Sequence, residues 1–318
     1  MTATRVLVDQ DLQPLDYLDA QLGDGFELST VGTTTEPALI EALADMDVVC
    51  TTSRLPISAA VLEATDLQVV AKIGTGIDNV DLEAAERLGI PVTYTPGVNA
   101  LSVAEHTVGL LVGVAHRISA TQDVLRAGGW RDEIPFGTML RDKTVGIVGY
   151  GAIGRRVAAL LDGFGVELLT HDPYVDDIET QVTQTEMVSF EELLDRADAV
   201  TVNAELTEET RGLIGAAELD RLGPNGILIN TARGPIVDEA ALIDALRGDQ
   251  LMGAGLDVFA DEPLTPDSPL HDCENVITTP HVAAVTEETR KQGIERLAHH
   301  IRSLLADESI PERYRARA

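Results

Sequence analysis

Cysteine, lysine and aromatic side chains are all scarce in this chain. Its 318 residues include two cysteines, three lysines, one tryptophan and only 3% aromatics. Cys50 and Cys273 stand far apart with no CxxC spacing, which argues against a disulfide or a metal site and for free thiols. No apolar run reaches the ~18 residues needed to cross a bilayer. The opening run Val6-Leu7-Val8 is too short for the core of a signal peptide, so a cytoplasmic protein is expected.

Positive charge is short as well. There are 23 basic residues against 53 acidic ones, a formal charge of −30, and the only lysines are Lys72, Lys143 and Lys291. A uniformly acidic surface repels phosphate backbones, which disfavours nucleic acid as a partner. The acids run along the whole chain. With 44% hydrophobic residues and clear periodicity, disorder does not explain them. A surface built for concentrated salt does, because at ~1 M ionic strength the Debye length is only about 3 Å. The composition resembles that of proteins from extreme halophiles; a merely acidic mesophilic protein is the alternative.

Short apolar runs at Arg5–Asp9, Phe26–Ser29, Val48–Thr51, Val69–Ile73 and Val92–Tyr94 alternate with helical patterns at Leu15–Leu22, Pro37–Ala44, Ala59–Glu63 and Asp81–Leu88. This alternation predicts a parallel sheet. Pro96-Gly97 closes that stretch. A helical pattern from Ala100 to about Arg126 follows, apolar nearly all round, and predicts a helix buried in a domain or subunit interface. Six more strands are expected at Val145–Val148, Glu167–Thr170, Ala199–Val202, Gly226–Asn230, Met252–Leu256 and Val276–Thr278, then a last helix from about Glu287 to Leu305.

The strand at Val145–Val148 runs straight into Gly149-Tyr150-Gly151-Ala152-Ile153-Gly154, with a helical pattern after it and Asp172 just past the next apolar run. Gly149 allows a tight turn, Gly151 lets the backbone approach a pyrophosphate, and Gly154 lets the helix pack close to the strand. The helix N-terminus offers N–H groups to phosphates. Asp172 can accept hydrogen bonds from an adenosine ribose. An ordinary glycine turn is the bland reading, and the flanking strands and acid weigh against it. The fold class expected is α/β with two doubly wound parallel-sheet domains. Residues 98–285 would form a Rossmann dinucleotide-binding domain. Residues 1–97 and 286–318 would form a flavodoxin-like substrate domain, with ligand in the cleft between the two.

Three polar residues fall at or beyond carboxyl ends of predicted strands, where open α/β sheets bind ligands: Arg233, Glu262 and His281. A guanidinium forks onto a carboxylate or carbonyl oxygen. A histidine donates a proton near neutral pH, and a nearby carboxylate keeps it charged and fixes its tautomer. Singly they read as a surface ion pair, a solvated acid and a core histidine. Together, on successive strand ends, they read as a catalytic set.

With those residues in place the chain resembles the D-isomer-specific 2-hydroxyacid dehydrogenases over almost its whole length. The likeness runs through Gly74-Thr75-Gly76-Ile77-Asp78-Asn79-Val80-Asp81, Asn99-Ala100-Leu101-Ser102-Val103-Ala104-Glu105-His106-Thr107, the glycine turn with Asp172, Asn230–Gly234, Gly255–Phe259 and Thr279-Pro280-His281. The resemblance implies that Arg233 holds the substrate carboxylate and keto oxygen. It makes His281 the acid in reduction and the base in oxidation, with Glu262 as its partner. N–H groups around Ile73, Gly74 and Thr75 would receive the carboxylate. Ala152, Ile153 and Asp172 would contact the cofactor, with Thr207, Thr231, Arg233, Asp257 and His281 lining its nicotinamide half. The cofactor implied is a nicotinamide dinucleotide, with Asp172 favouring NAD and NADP kept as the alternative; the substrate is a small 2-keto acid or 2-hydroxyacid, and the assembly a homodimer through the helix after Asn99.

Three departures stand out. The family's usual histidine and proline are Asn203 and Glu205 here. The arginines that phosphoglycerate-oxidising members use appear as Thr52 and Lys72. The sequence runs to Ala318, so the regulatory C-terminal domain of many such members is not expected. The last two favour a plain 2-keto acid over a short-type 3-phosphoglycerate dehydrogenase. A nucleotide-sensing corepressor-like module is the reading from another class; an intact Arg233, Glu262 and His281 set argues against it.

Overall fold

The structure is a computed structural model that describes residues 3–32 and 35–318. It divides into two compact units, Met1–Asn99 with Ala284–Ala318, and Ala100–Ala283.

The first unit alternates strand and helix: β1 (Thr4–Asp9), α1 (Leu15–Leu22), β2 (Phe26–Val31), α2 (Glu36–Leu43), β3 (Val48–Thr51), α3 (Ala59–Glu63), β4 (Val69–Lys72), α4 (Leu82–Leu88) and β5 (Val92–Tyr94). All neighbours are parallel, in the order β2-β1-β3-β4-β5. Every residue of β3 and β4 is buried, which requires helices on both faces and explains why the strands read as unbroken apolar runs. Leu18 and Leu22 of α1 pack on one face with Ile294, Leu297 and Ile301 from the last helix of the chain. Leu39 and Leu43 of α2, Val61 of α3 and Ala84 of α4 fill the other. Ser58 and Asp81 cap α3 and α4 by accepting the N–H groups of Val61 and Ala84. The C-terminal segment returns to β5, where the Ala316 N–H donates to Val92 O at 3.0 Å.

The second unit begins with α5 (Ala100–Ala115) and α6 (Ile118–Arg126). It continues β6 (Thr144–Val148), α7 (Gly154–Leu161), β7 (Glu167–His171), β8 (Glu186–Met187), α8 (Phe190–Arg196), β9 (Ala199–Val202), α9 (Ala216–Leu222), β10 (Ile227–Asn230), α10 (Glu239–Arg247), β11 (Gly253–Leu256) and β12 (Val276–Thr278). α11 (Glu287–Leu305) then closes the first unit. The parallel sheet runs β12-β11-β10-β9-β6-β7-β8, reversing direction of growth between β6 and β9. α5 and α7 cover one face, and α8, α9 and α10 the other.

Two expectations are corrected. The sheet has seven strands, not six, because the two-residue β8 is too short to leave a periodic signal. The helix expected from Ala100 to Arg126 is two helices: Arg117 adopts a left-handed conformation (φ 53°) and ends α5. α5 is largely buried, as expected, but α6 has no buried residue. Its sequence turns polar after the break, with Ser119, Thr121, Gln122 and Asp123. Both cysteines are free and buried, and burial pushes the Cys50 thiol up to about 12.

Candidate active site

The glycine turn sits at the carboxyl end of β6, where the sheet order reverses. Gly149 has φ 90°, and a Cβ there would stand 2.6 Å from the Ala204 backbone nitrogen at the end of β9. Only glycine meets both demands. Gly151 faces open space, and the N–H groups of Gly151, Ala152 and Ile153 make no hydrogen bond among the described residues. Open space over glycine, unpaired N–H groups and a helix N-terminus fit the pyrophosphate of a dinucleotide. Asp172 lies just beyond β7, but its carboxylate is not simply waiting for a ribose. Oδ2 accepts the Tyr150 N–H at 2.7 Å and Oδ1 the Tyr174 N–H at 3.0 Å. The acid therefore ties the glycine turn to the loop after β7 while keeping lone pairs for a ligand.

On the other half of the sheet the loops after β10, β11 and β12 carry Arg233, Glu262 and His281. Asn230, the last residue of β10, donates from Nδ2 to Arg233 O at 2.9 Å. A Cβ on Gly234 would collide with the backbone of Phe259, so these loops are pressed main chain to main chain. Glu262 takes the Phe259 N–H on Oε1 (3.1 Å) and faces His281 Nδ1 with Oε2 at 2.7 Å. Burial opposes ionisation of Glu262, but the His281 hydrogen bond and charge, the Phe259 N–H and the charge of Arg233 outweigh it and hold its pKa below the usual carboxylate value. His281 itself has φ 54°. A histidine in this region is uncommon, and its N–H is held by Asp257 O at 2.8 Å.

Asp257 belongs to the same structure. It is fully buried, and its carboxylate accepts Thr279 Oγ1 (2.5 Å), the Val282 N–H (2.9 Å) and the Ala283 N–H (2.9 Å). His106 of α5 adds a 2.9 Å contact from Nε2 to Thr279 Oγ1. Asp257 thus clamps the loop that presents His281. That positioning role was not legible, since the sequence offers only an acid after a strand. Thr231 is also buried, with Oγ1 2.7 Å from Thr107 Oγ1. Thr207 Oγ1 accepts the N–H groups of Glu209 and Thr210 and shapes the loop after β9.

In the first unit the turn after β4 is partly committed. The Ile73 N–H donates to Thr51 O (3.0 Å) and the Gly74 N–H to Thr95 Oγ1 (2.8 Å). The N–H groups expected around Ile73, Gly74 and Thr75 are thus not equally available. The ladder from β3 runs on through Ile73, Thr95 takes Gly74, and the first N–H without a partner among the described residues is that of Thr75. Gly74 has φ 114°, which turns the chain at this point. Lys72 and Thr52 are buried, and Thr52 Oγ1 donates to Asp9 Oδ2 at 2.5 Å.

The family described as D-isomer specific 2-hydroxyacid dehydrogenase, NAD binding domain, matches residues 108–283. A D-3-phosphoglycerate dehydrogenase of Mycobacterium leprae is 40% identical over 294 residues, 92% of this chain and 56% of that protein. The chain thus spans little more than half the length of that relative. A glyoxylate reductase of Thermofilum pendens is 38% identical over 279 residues, 86% of this chain and 82% of that protein. Among solved structures, the TT0316 protein of Thermus thermophilus superposes with a TM-score of 0.89 at 35% identity, covering 97% of this chain and 99% of that one.

Proposed function

The chain belongs to the D-isomer-specific 2-hydroxyacid dehydrogenases, and on that premise we propose that it reduces a small 2-keto acid in the cytoplasm, with NADH in preference to NADPH. In the reverse direction it oxidises a D-2-hydroxyacid. The observation that carries this reading is the 2.7 Å contact between His281 and Glu262, beside Arg233 on neighbouring strand ends of a nucleotide-binding sheet.

The nicotinamide, when bound, supplies the hydride. Glu262 stays ionised, so Nδ1 of His281 carries the hydrogen that faces it, and Nε2 is left to hand a proton to the keto oxygen. Arg233 offers a fixed fork to the carboxylate and to the oxygen on which charge develops. Gly149, Gly151, Ala152, Ile153 and Gly154 cradle the pyrophosphate, and Asp172 favours a ribose diol over a 2′-phosphate. Thr207 and Thr231 border the cofactor, with Asp257 acting through the His281 loop. In the first unit the proposal assigns the carboxylate to the turn Ile73-Gly74-Thr75, with Thr75 as the backbone donor. A homodimer through the helices after Asn99 is part of the proposal, supported by exposed Leu101, Ile118, Leu125 and Phe136. So is adaptation to high salt, supported by the charge of −30.

A second reading, oxidation of 3-phosphoglycerate, is favoured by the Mycobacterium relatives at 39–40% identity. Thr52 weighs against it, because its hydroxyl is held by Asp9 and supplies no cation.

The test is a panel of 2-keto acids with NADH, and of 2-hydroxyacids including D-3-phosphoglycerate with NAD, in molar salt. Turnover of a small 2-keto acid that collapses in His281→Gln is expected. Cofactor binding without turnover on any member would sink the reading and leave the sensing module.

A further inference from the structure

We infer that Glu209 is a second cofactor-discriminating residue, its carboxylate tied to the loop that carries Asp172 by the hydroxyl of Tyr174. This rests on the reading of the sheet as a dinucleotide site and adds a residue to it.

β7 and β9 flank β6, one on each side. With strands ~4.8 Å apart, the loops that leave β7 and β9 start about 10 Å from each other, with the glycine turn between them. A single side-chain bond closes that gap: Tyr174 Oη donates to Glu209 Oε2 at 2.5 Å, across 35 residues of sequence. Both ends are anchored through the backbone. The Tyr174 N–H is held by Asp172 Oδ1, and the same carboxylate holds the Tyr150 N–H of the glycine turn. The Glu209 N–H is held by Thr207 Oγ1 at 3.2 Å. The result is a continuous chain of contacts from the glycine turn through Asp172 and Tyr174 to Glu209.

The chemistry of the pair suits discrimination by charge. The hydrogen bond to Glu209, its charge, burial and the charge of Asp172 all raise the Tyr174 pKa, so the phenol remains a donor. Glu209 makes no ion pair among the described residues, so its charge is not neutralised by a partner cation. Asp172 has two backbone N–H groups drawn onto it, which blunt its charge. A 2′-phosphate, carrying about two negative charges, would meet both carboxylates. A ribose diol can donate to either.

The experiment is a fluorescence titration of NADH and NADPH into the full-length protein at one fixed salt concentration, needing no substrate. Glu209→Gln is expected to shift the affinity ratio toward NADPH by about three- to tenfold, the size of one like-charge contact in a partly screened site. Tyr174→Phe, which frees the carboxylate, should shift it the same way but less. Glu208→Gln removes the same charge one residue away, from a side chain as exposed as Glu209 but without its bond to Tyr174, and should leave the ratio unchanged. A ratio that Glu209→Gln leaves within about twofold of wild type, or that Glu208→Gln moves equally, overturns the assignment and makes the effect one of bulk charge. Binding of neither nucleotide overturns this inference and the functional reading together. Binding with the expected shift but no turnover of any 2-keto acid supports the inference and defeats only the reading of the reaction.

Discussion

Acid should loosen the C-terminal segment of the first unit, and His300 should be the reason. The ring is 2% exposed in α11, with Nδ1 2.8 Å from Thr93 Oγ1 on β5 and its centroid 4.9 Å from that of Tyr314. Thr93 also donates to Tyr314 O, and Arg296 Nη1 donates to the Tyr314 hydroxyl. Other titratable or charged side chains crowd the ring: His299 and Arg296 on its own helix, and Arg313 over Tyr314 from the tail. Burial first, then His299 and Arg296, push the His300 pKa down to about 4 from an ordinary 6.5. The folded protein therefore refuses a proton that the unfolded chain accepts. The stabilisation is complete above about pH 6.5 and is lost as pH falls toward 4. At 1.36 kcal/mol per pH unit, the group removes about 2 kcal/mol between pH 7 and 5 and roughly 3 kcal/mol in full. His300→Gln keeps a polar partner for Thr93 and removes the titration. Hydrogen exchange of the Ala316 amide, which bonds Val92 O, reports opening of the tail once intrinsic rates are corrected for pH. Wild type should lose about 2 kcal/mol more protection than the variant over that range, whatever their absolute stabilities. Equal pH slopes in the two proteins would refute the reasoning.

Three further outcomes are expected. His281→Gln should cut turnover by roughly 10²–10⁴ while cofactor affinity stays the same, as steady-state kinetics and nucleotide titration would show; wild-type turnover would remove His281 from the mechanism. Asp257→Asn should cost about 1–3 kcal/mol in thermal or denaturant unfolding and lower kcat, because an amide N–H₂ would face one of the donors from Thr279, Val282 or Ala283. With a charge of −30, activity and the proposed dimer should be lost on dialysis below about 0.1 M salt, where the screening length reaches ~10 Å, and return in molar KCl. A thermal midpoint that is flat or falling as KCl rises would contradict that reading of the surface.

Much of the fold was legible because both sheets are buried on both faces. The runs Val48–Thr51 and Ala199–Val202 are wholly buried, and their sequence is apolar or β-branched to the last residue. Strand ends were legible too, which is how Arg233, Glu262 and His281 could be grouped. What stayed hidden depends on backbone conformation and on who donates to whom. Nothing in the residues around Arg117 announces a left-handed break, and nothing in Thr279-Pro280-His281 announces φ 54° at the histidine. The N–H groups of Ile73 and Gly74 look available in sequence, yet Thr51 and Thr95 have already taken them.

The acids make the same point more sharply. With 53 of them in the chain, an acid after a strand carries almost no information by type. Asp172, Asp257 and Glu262 accept main-chain N–H groups in the loops that carry the candidate site, as Asp9 and Glu239 do in other loops at strand ends. Many others face arginines on the exposed surface, as Glu186 does with Arg196 and Asp195 with Arg221. Salt distinguishes the two sets. At molar ionic strength the screening length, about 3 Å, is as short as a hydrogen bond, so exposed ion pairs and long-range repulsion fade together. Direct bonds of 2.7–3.1 Å in these partly exposed loops admit no ions between partners and are weakened less than long-range repulsion. A protein can then carry a surface that is acidic almost everywhere and still use a few carboxylates for positioning, because those few act by contact and not through a field.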